Sequence, residues 1–195
     1  MKQSGGLLEI TRTASAVGIS RPTVESHLRA LEATHAITLV RPFHGGGQKE
    51  IIKMPKTYAF DTGFVSFCCG WDPLRPDDYG VLWEHMVLEY LDAHGHERKI
   101  QYWRDASGRE IDFVMVRNRE EIDVIECKWD PVQFDPEAIK LFRSYYPGGN
   151  NYVLSPLTIQ GYSKKVSGLD VYVCNPDGWQ EHVEKGRLGG KHRKA

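Results

Sequence analysis

The fold of this chain is decided by two short apolar runs, Glu110-Ile-Asp-Phe-Val-Met-Val116 and Ile122-Asp-Val-Ile-Glu-Cys-Lys-Trp129. The polar segment Arg117-Asn-Arg-Glu-Glu121 joins them and has the composition of a turn. Both runs are short and rich in β-branched residues, as β-strands are. The sequence therefore predicts a β-hairpin over residues 110–129.

Three charged residues of this hairpin form the candidate site. Side chains alternate along a strand, so Glu126 and Lys128 lie on one face. A register that brings Asp112 beside them places two carboxylates next to one ammonium. Carboxylate oxygens suit a hard divalent cation, and lysine offers a point charge to phosphate. The pattern predicts a site for a divalent cation and a phosphate.

The alternative is a plain ion pair, since a Glu-x-Lys pair in a strand is usually solvated and stabilises little. Against it, the second strand is apolar on both faces, with Val124 on one and Ile125 and Cys127 on the other. Such strands are usually buried on both sides. Charges at the end of a buried strand need partners or a metal.

The spacing of Asp112, Glu126 and Lys128 resembles the PD-(D/E)xK nuclease superfamily, also called restriction-endonuclease-like. This resemblance implies that the Asp and the Glu hold Mg²⁺, and that the Lys orients or activates the attacking water. It also implies that a Glu on the preceding helix is a fourth member of the site. The activity would be that of a Mg²⁺-dependent endonuclease.

The predicted helix Asp78–Ala93 offers two such residues, Glu84 and Glu89. Glu84 shares its helical stripe with apolar residues, namely Val81, Val87, Leu88 and Leu91. Glu89 lies on a wetter stripe with His85 and Asp92. A carboxylate on the apolar face is costly unless it is paired. Glu84 is therefore the favoured fourth catalytic residue and a further metal ligand.

The composition predicts a globular protein of 195 residues with 41% hydrophobic and 26% charged residues. No apolar run approaches the ~20 residues of a membrane span, and the first residues lack a signal peptide, so a cytoplasmic protein without membrane contact is expected. The charge is uneven: residues 1–60 carry +4, residues 61–184 carry −10, and residues 185–195 carry +5. A basic head is typical of nucleic-acid binding.

Residues 1–60 have the pattern of a winged helix-turn-helix. Ala14 is small where two helices cross, and Gly18 permits a left-handed turn. Ser20 can cap the second helix, and Pro22 fits its first turn. Two strands, 37–40 and 50–53, follow the helices and flank the wing at 44–48. A winged helix also needs a helix before Thr13, for which 1–10 are too few, so the module looks truncated.

The second helix of this module predicts a DNA-docking face. Val24, Leu28 and Leu31 form its buried stripe. The candidate nucleic-acid contacts are the exposed residues Arg21, Thr23, Ser26 and Arg29. Glu25 in the same helix weakens the case for DNA, and winged helices also mediate protein contacts, so both partners stay open.

A second domain is expected over residues 75–180, after a Pro-rich connector at 71–78. It contains the hairpin, a strand at 100–105, a helix at 135–145, and late strands at 152–154 and 169–174. The fold class is α/β: a small winged helix-turn-helix followed by a restriction-endonuclease-like domain with a central mixed sheet. Residues 185–195 are expected to form a basic, disordered tail.

Five segments occur in an order that is similar to the uncharacterised C-terminal domain, a "domain of unknown function", of many prokaryotic AAA-type ATPases. They are Lys56-Thr-Tyr-Ala-Phe-Asp-Thr-Gly63, Gly80-Val-Leu-Trp-Glu-His-Met-Val87, Tyr102-Trp-Arg104, Gly108-Arg-Glu-Ile-Asp-Phe-Val114 and Ile125-Glu-Cys-Lys128. The resemblance implies an ATPase module in longer relatives. This chain has no Gly-x-x-x-x-Gly-Lys-Ser/Thr motif. Besides the nuclease, a non-catalytic DNA- or protein-binding module that serves an ATPase stays open.

Overall fold

A computed structural model describes residues 4–45, 54–95 and 98–191. In these residues the chain forms a mixed α/β fold around one sheet of nine strands. The strand order is β1-β3-β2-β4-β5-β6-β7-β9-β8. The strands are β1 Gly6–Leu7, β2 Ile37–Pro42, β3 Lys56–Ala59, β4 Ile100–Arg104, β5 Glu110–Val116, β6 Ile122–Cys127, β7 Asn151–Leu154, β8 Tyr162–Val166 and β9 Leu169–Cys174.

The helices of the described residues flank this sheet. They are α1 Ile10–Val17, α2 Arg21–Ala33, α3 Thr62–Cys69, α4 Pro76–His94, α5 Glu137–Tyr145 and α6 Pro176–Lys191, with a 3₁₀ turn at Pro131–Gln133. The predicted α/β class and the predicted hairpin, here β5 and β6, are confirmed. The helices α3 and α6 and the strands β1, β3 and β8 were not predicted from the sequence.

The sheet is mixed, as predicted, and is covered on both faces. Three strand pairs, β2–β4, β6–β7 and β7–β9, are parallel, and the other pairs are antiparallel. One apolar core joins the sheet to α4 and α6, and a second joins it to α5. All six residues of β6 are buried, which confirms the prediction of a strand covered on both sides.

The turn between α1 and α2 has the predicted local chemistry. Gly18 adopts a left-handed backbone with φ 68°, and the hydroxyl of Ser20 accepts a hydrogen bond from the Thr23 backbone N–H at 3.3 Å. Val24 is buried, but Leu31 is 42% exposed, so its predicted burial is wrong. Residues 6–7 form β1, so no helix precedes α1 in residues 4–9 to cover Leu31.

The N-terminal strands belong to the same sheet as the central strands. The predicted strand 50–53 and residues 46–48 of the predicted wing lie outside the described residues. In the described residues β2 pairs with β3, with Leu39 opposite Thr57. On its other side β2 pairs in parallel with β4, with Arg41 opposite Gln101. As a result, side chains of β3 reach the interior beside β5.

The C-terminal tail differs in part from its prediction. Residues 185–191, expected to be disordered, continue helix α6, while 192–195 lie outside the described residues. The helix is anchored upstream, where Trp179 and Val183 pack into the core beside α4. No helix in the described part of the chain is long and apolar enough to cross a membrane.

Candidate functional site

Helix α4 carries Glu84 to the end of the hairpin. The helix begins where the Asp78 carboxylate accepts a hydrogen bond from the Arg75 backbone N–H at 2.9 Å, and Trp83, Val87 and Leu91 fix its apolar face on the sheet. Glu84 projects from this packed side. The alternative residue Glu89 is exposed. The structure thus brings Glu84, rather than Glu89, to the cluster.

Asp112 lies at an irregularity in β5. Between β4 and β5, Gln101 pairs with Val114, and Trp103 pairs with Ile111. Two residues along β4 therefore correspond to three residues along β5, which has one residue more. This is a β-bulge, which re-aims side chains and often lies beside active sites. Here the Asp112 carboxylate turns toward β6 and accepts a hydrogen bond from the Cys127 backbone N–H at 2.8 Å.

Lys128 joins the two predicted carboxylates. Its Nζ lies 2.7 Å from Glu126 Oε2 and 3.8 Å from Asp112 Oδ2. Glu126 is almost completely buried, while the side chain of Lys128 is 26% exposed. The three residues predicted from the hairpin are therefore in contact, with the ammonium at the open side.

A second lysine, Lys56 of β3, completes the cluster and was missed by the sequence reasoning. Its Nζ lies 2.6 Å from Glu84 Oε1, 2.7 Å from Glu110 Oε1 and 3.9 Å from Asp112 Oδ1. The hydroxyl of Tyr58 donates to the same Glu84 oxygen at 2.5 Å. A Lys and a Tyr two residues apart in a short strand share one face. That spacing was the available signal.

The cluster has unusual electrostatics. Burial, followed by repulsion from Asp112, raises the pKa of Glu84 to about 7 and that of Glu126 to about 8. Burial alone would lower the pKa of each lysine, but the carboxylates outweigh it, so the pKa values of Lys56 and Lys128 are raised. Both lysines are therefore charged at neutral pH, while Glu84 and Glu126 titrate near neutrality.

The donor atoms fit a divalent cation in type, because Asp112, Glu126 and Glu84 offer the oxygens that Mg²⁺ takes. In this conformation, however, these oxygens contact ammonium groups. Among the described residues no three acidic, His or Cys side chains are arranged as a metal site. A bound ion would therefore rest on Asp112 and Glu126 once the Lys128 ammonium moves aside.

The cluster opens into a cleft of 540 Å³ beside Lys128. Tyr79 and Trp129 line it as a stacked pair, with ring centroids 4.7 Å apart. Gly80 of α4 also lines it, and a β-carbon at this position would meet open space. The cleft gives solvent and small ligands access to Lys128.

Two residues near the cluster are structural. Tyr102 is buried, and its hydroxyl donates to the Met54 carbonyl. Arg104 pairs with Glu110 at 2.9 Å. These contacts give both residues a role in holding the structure together.

The predicted nucleic-acid contacts are on α2, which contributes no residue to this cluster. All four are exposed, namely Arg21, Thr23, Ser26 and Arg29. Arg21 pairs with Glu25 at 3.0 Å, and the Thr23 hydroxyl bonds Ser20 at 2.7 Å. Two of the four side chains thus already have partners within the helix.

Comparison with known proteins gives two family matches. Residues 1–75 match the family model described as Domain of unknown function (DUF8612), and residues 79–165 match Domain of unknown function (DUF4143). The expectation of a domain of unknown function is confirmed to that extent. No curated protein matches the chain.

The solved structures with a distant likeness include a chain from an assembly of Thermococcus gammatolerans McrB AAA+ hexamers with bound McrC, with 11% sequence identity and a TM-score of 0.41. The match covers 54% of this chain and 33% of that chain. A likeness at this level assigns neither fold nor partner to this chain.

Proposed function

We propose that this chain carries a Mg²⁺-dependent phosphodiesterase site of the restriction-endonuclease-like type, with DNA as its substrate. The observation that supports it is the contact of one partly exposed ammonium, Lys128, with two carboxylates, Asp112 and Glu126, at the mouth of a cleft. A hydrolytic centre for phosphate esters needs this combination of cation ligands and a positive group facing the substrate.

The residues divide the work. Asp112 and Glu126 would hold Mg²⁺, with Glu84 in support directly or through water, and the bound ion would polarise a phosphoryl oxygen. Lys128 would donate a hydrogen bond to the attacking water or to a non-bridging phosphate oxygen. The oxygen of water attacks phosphorus and the water releases a proton to solvent, one P–O ester bond breaks, and the leaving alkoxide takes a proton from solvent. The products are a phosphate monoester and an alcohol.

The N-terminal region would dock the DNA. In this proposal α1 and α2 are the helix-turn-helix of a winged helix, and the exposed face of α2 meets the phosphate backbone. The +4 charge of residues 1–60 supports this role, because phosphate contacts dominate non-specific DNA binding. The body of the chain, at −10, supplies no such attraction.

The test is a plasmid-nicking assay on the full chain, together with varied linear DNA forms. Cleavage is expected with Mg²⁺ and none with EDTA. Asp112→Asn is the matched variant, since it keeps the volume and removes the charge. Equal nicking by the parent and by Asp112→Asn would assign the activity to a contaminant and reject the proposed site.

A second candidate is a non-catalytic module that binds DNA or protein and serves an ATPase module. Two observations favour it. The carboxylates of the cluster are already paired with lysines. In addition, Phe60, Phe64 and Phe67 form an exposed apolar surface around α3, with Phe67 83% exposed. Large exposed apolar surfaces typically mark protein contacts.

This candidate predicts binding without cleavage. The purified chain should bind the ATPase module of a longer relative in a calorimetric titration. Phe67→Asp should abolish the binding, because it places a charge in the apolar interface. Exposed Val132 provides the matched control, since Val132→Asp places the same charge on an exposed apolar residue outside α3. Nicking that depends on Asp112 would decide for the first candidate.

A further inference from the structure

We propose that Lys56 is a fixed internal cation of the cluster: its ammonium holds Glu84, Glu110 and Asp112 in the position where a metal ion would otherwise be required. Lys56 is then a positioning residue, supplied by the N-terminal strands to the site of the hairpin. The cation role stands on the geometry alone. Its consequence for catalysis rests on the proposed phosphodiesterase function.

The geometry around Lys56 is that of a small carboxylate cage. Three carboxylate oxygens from α4 and β5 lie 2.6, 2.7 and 3.9 Å from Nζ. The side chain is 3% exposed, so bulk solvent has almost no access to the ammonium. The rings of Tyr58 and Tyr102 flank it, with centroids 6.0 and 5.9 Å from Nζ. The ammonium is therefore a cation that the Lys56 side chain holds covalently inside the cage.

The charge of the cage explains why a cation must be present. Several like charges in a buried site repel one another and lose their hydration. One ammonium among three carboxylates reduces both costs. A divalent cation would do the same, because Mn²⁺ and Mg²⁺ take carboxylate oxygens. Lys56 thus supplies the cation, and the three carboxylates, which are not arranged as a metal site around the ammonium, would have to close on a metal ion in its absence.

Asp112 links this cage to the open side of the site. Its Oδ1 faces Lys56 at 3.9 Å, and its Oδ2 faces Lys128 at 3.8 Å. The two ammonium groups differ in access, since Lys128 is 26% exposed and Lys56 is buried. The cluster therefore has one exchangeable cation position, beside Lys128, and one that is permanently filled. Lys56 fixes the carboxylate that serves both.

The proposal predicts that removing the lysine creates a metal site. In Lys56→Ala the truncated side chain leaves a cavity lined by three carboxylates. We expect the melting temperature of the full chain to fall by roughly 6–20 °C, as when one partner of a buried ion pair is removed. Millimolar Mn²⁺ or methylammonium should restore part of this loss. Neither should stabilise the parent to the same extent.

The stoichiometry gives a second readout. Calorimetric titration with Mn²⁺, at a pH above the Glu84 pKa of about 7, should find one more bound ion in Lys56→Ala than in the parent. Adding Glu110→Gln to this variant should weaken the new site, because it removes one ligand. Lys165→Ala is the matched control, a lysine on exposed strand β8 that should change neither readout.

The outcomes separate this inference from the proposed function. If the parent binds no Mn²⁺ and Lys56→Ala binds one ion, the cage is supported and the metal site at Lys128 is rejected. If folded Lys56→Ala gains no ion and neither Mn²⁺ nor methylammonium raises its melting temperature, the inference is overturned.

If Lys56→Ala does not fold, a second pair of variants tests the inference. Lys56→Met keeps the volume of the side chain, and Lys56→Met with Glu84→Gln also removes an unpaired charge. At a pH well above the Glu84 pKa of about 7, the double variant should be the more stable of the two, since the single variant has to bury an unpaired charge or take up a proton. The melting temperature of the single variant should therefore fall more steeply with rising pH. Equal melting temperatures over the whole pH range would mean that Lys56 does not neutralise the cage, and would overturn the inference.

Discussion

Two buried ion clusters lie at opposite ends of the hairpin, and they are built differently. The first, described above, gathers four carboxylates around Lys56 and Lys128 at the end of β6. The second surrounds Asp123 near the start of β6, where Arg117 Nε lies 2.9 Å and Arg98 Nη1 3.6 Å from Oδ2. Both clusters are mostly buried, so each needs a reason to exist.

The second cluster connects separate segments of the chain. Asp123 Oδ1 accepts a hydrogen bond from the Asn150 backbone N–H at 2.9 Å. Nearby Arg143 donates to the carbonyls of Tyr146, Gly148 and Asn150. These bonds fix the segment that leads from α5 into β7. The cluster has one central carboxylate with backbone and arginine donors around it.

The first cluster instead has more carboxylates than ammonium groups and opens into a cleft. Its contacts are between side chains, apart from the bond from the Cys127 backbone N–H to Asp112. The difference teaches that burial of charge is not by itself a functional sign. The candidate site differs from the second cluster in having more carboxylates than ammonium groups and a partly exposed ammonium, Lys128, that lines a cleft.

The largest effect should come from breaking the structural cluster. Asp123→Asn removes the buried carboxylate that accepts from Arg117 and the Asn150 backbone N–H and lies near Arg98, and it should lower the free energy of unfolding by about 1.5–3 kcal/mol. Glu126→Gln should change it by less than ~1 kcal/mol at neutral pH, because the raised pKa already keeps much of this group protonated. Urea unfolding of both variants checks this. Equal losses of unfolding free energy in the two variants would show that the two clusters do not differ in their contribution to stability.

The next largest effect should come from Lys128→Ala in the first cluster. If the first cluster is catalytic, cleavage should fall by roughly 10²–10³-fold, the usual cost of losing a group that stabilises developing charge. Mg²⁺ affinity should not fall and should rise, because the ammonium is no ligand and its removal frees Asp112 and Glu126 for the ion. Lys128→Arg should also fail, since a planar guanidinium does not replace a compact ammonium. Nicking rates and calorimetry measure both effects.

If Lys128 forms only a structural ion pair, the same variants should behave differently. The parent would not cleave DNA, and Lys128→Ala would change the free energy of unfolding by less than ~1 kcal/mol. That result would move the assignment to the non-catalytic module.

The pH dependence of stability should report the first cluster. The carboxyl pKa values of Glu84 and Glu126 are raised from 4.5 to about 7 and about 8 in the folded chain. The folded state therefore binds more protons than the unfolded state between these values, and the melting temperature should fall as pH rises from 4.5 to 8.

The double variant Glu84→Gln with Glu126→Gln should flatten this dependence. Burial also raises the pKa of Asp123, and that contribution stays in the double variant as an internal control. An undiminished slope would place the titration outside the first cluster.

The smallest effect should come from the exposed face of α2. Arg29→Ala should weaken DNA binding modestly and reduce the slope of log affinity against log salt by about 1, as expected for one lost phosphate contact. Fluorescence anisotropy of the full chain measures it, with Lys165→Ala as the control. Full chains are required because β2 pairs with β4 and Lys56 enters the cluster. An unchanged slope would remove Arg29 from the DNA-binding face.

The sequence predicted the parts of the fold that depend on local patterns. The hairpin followed from two β-branched runs, and Glu84 was chosen because an unpaired carboxylate on an apolar stripe is costly. That reasoning correctly required a partner for Glu84, and the structure supplies Lys56 and Tyr58. The capping of α2 by Ser20 was equally local.

The rest depended on contacts between distant segments. Lys56 reaches Glu84 and Glu110 only because β3 joins the sheet through β2, and no local pattern indicates that pairing. The bulge that turns Asp112 toward β6 appears only in the register between β4 and β5. The predicted burial of Leu31 failed for a similar reason, since helical spacing alone does not show whether a distant segment covers the residue.

The most direct test is a calorimetric titration of the full chain with Mn²⁺, made on the parent, Asp112→Asn and Asp123→Asn. The account predicts binding by the parent and by folded Asp123→Asn, and none by Asp112→Asn, because only the first cluster offers carboxylates to an exchangeable ion. Binding by Asp112→Asn equal to that of the parent, or no binding by the parent, would contradict it.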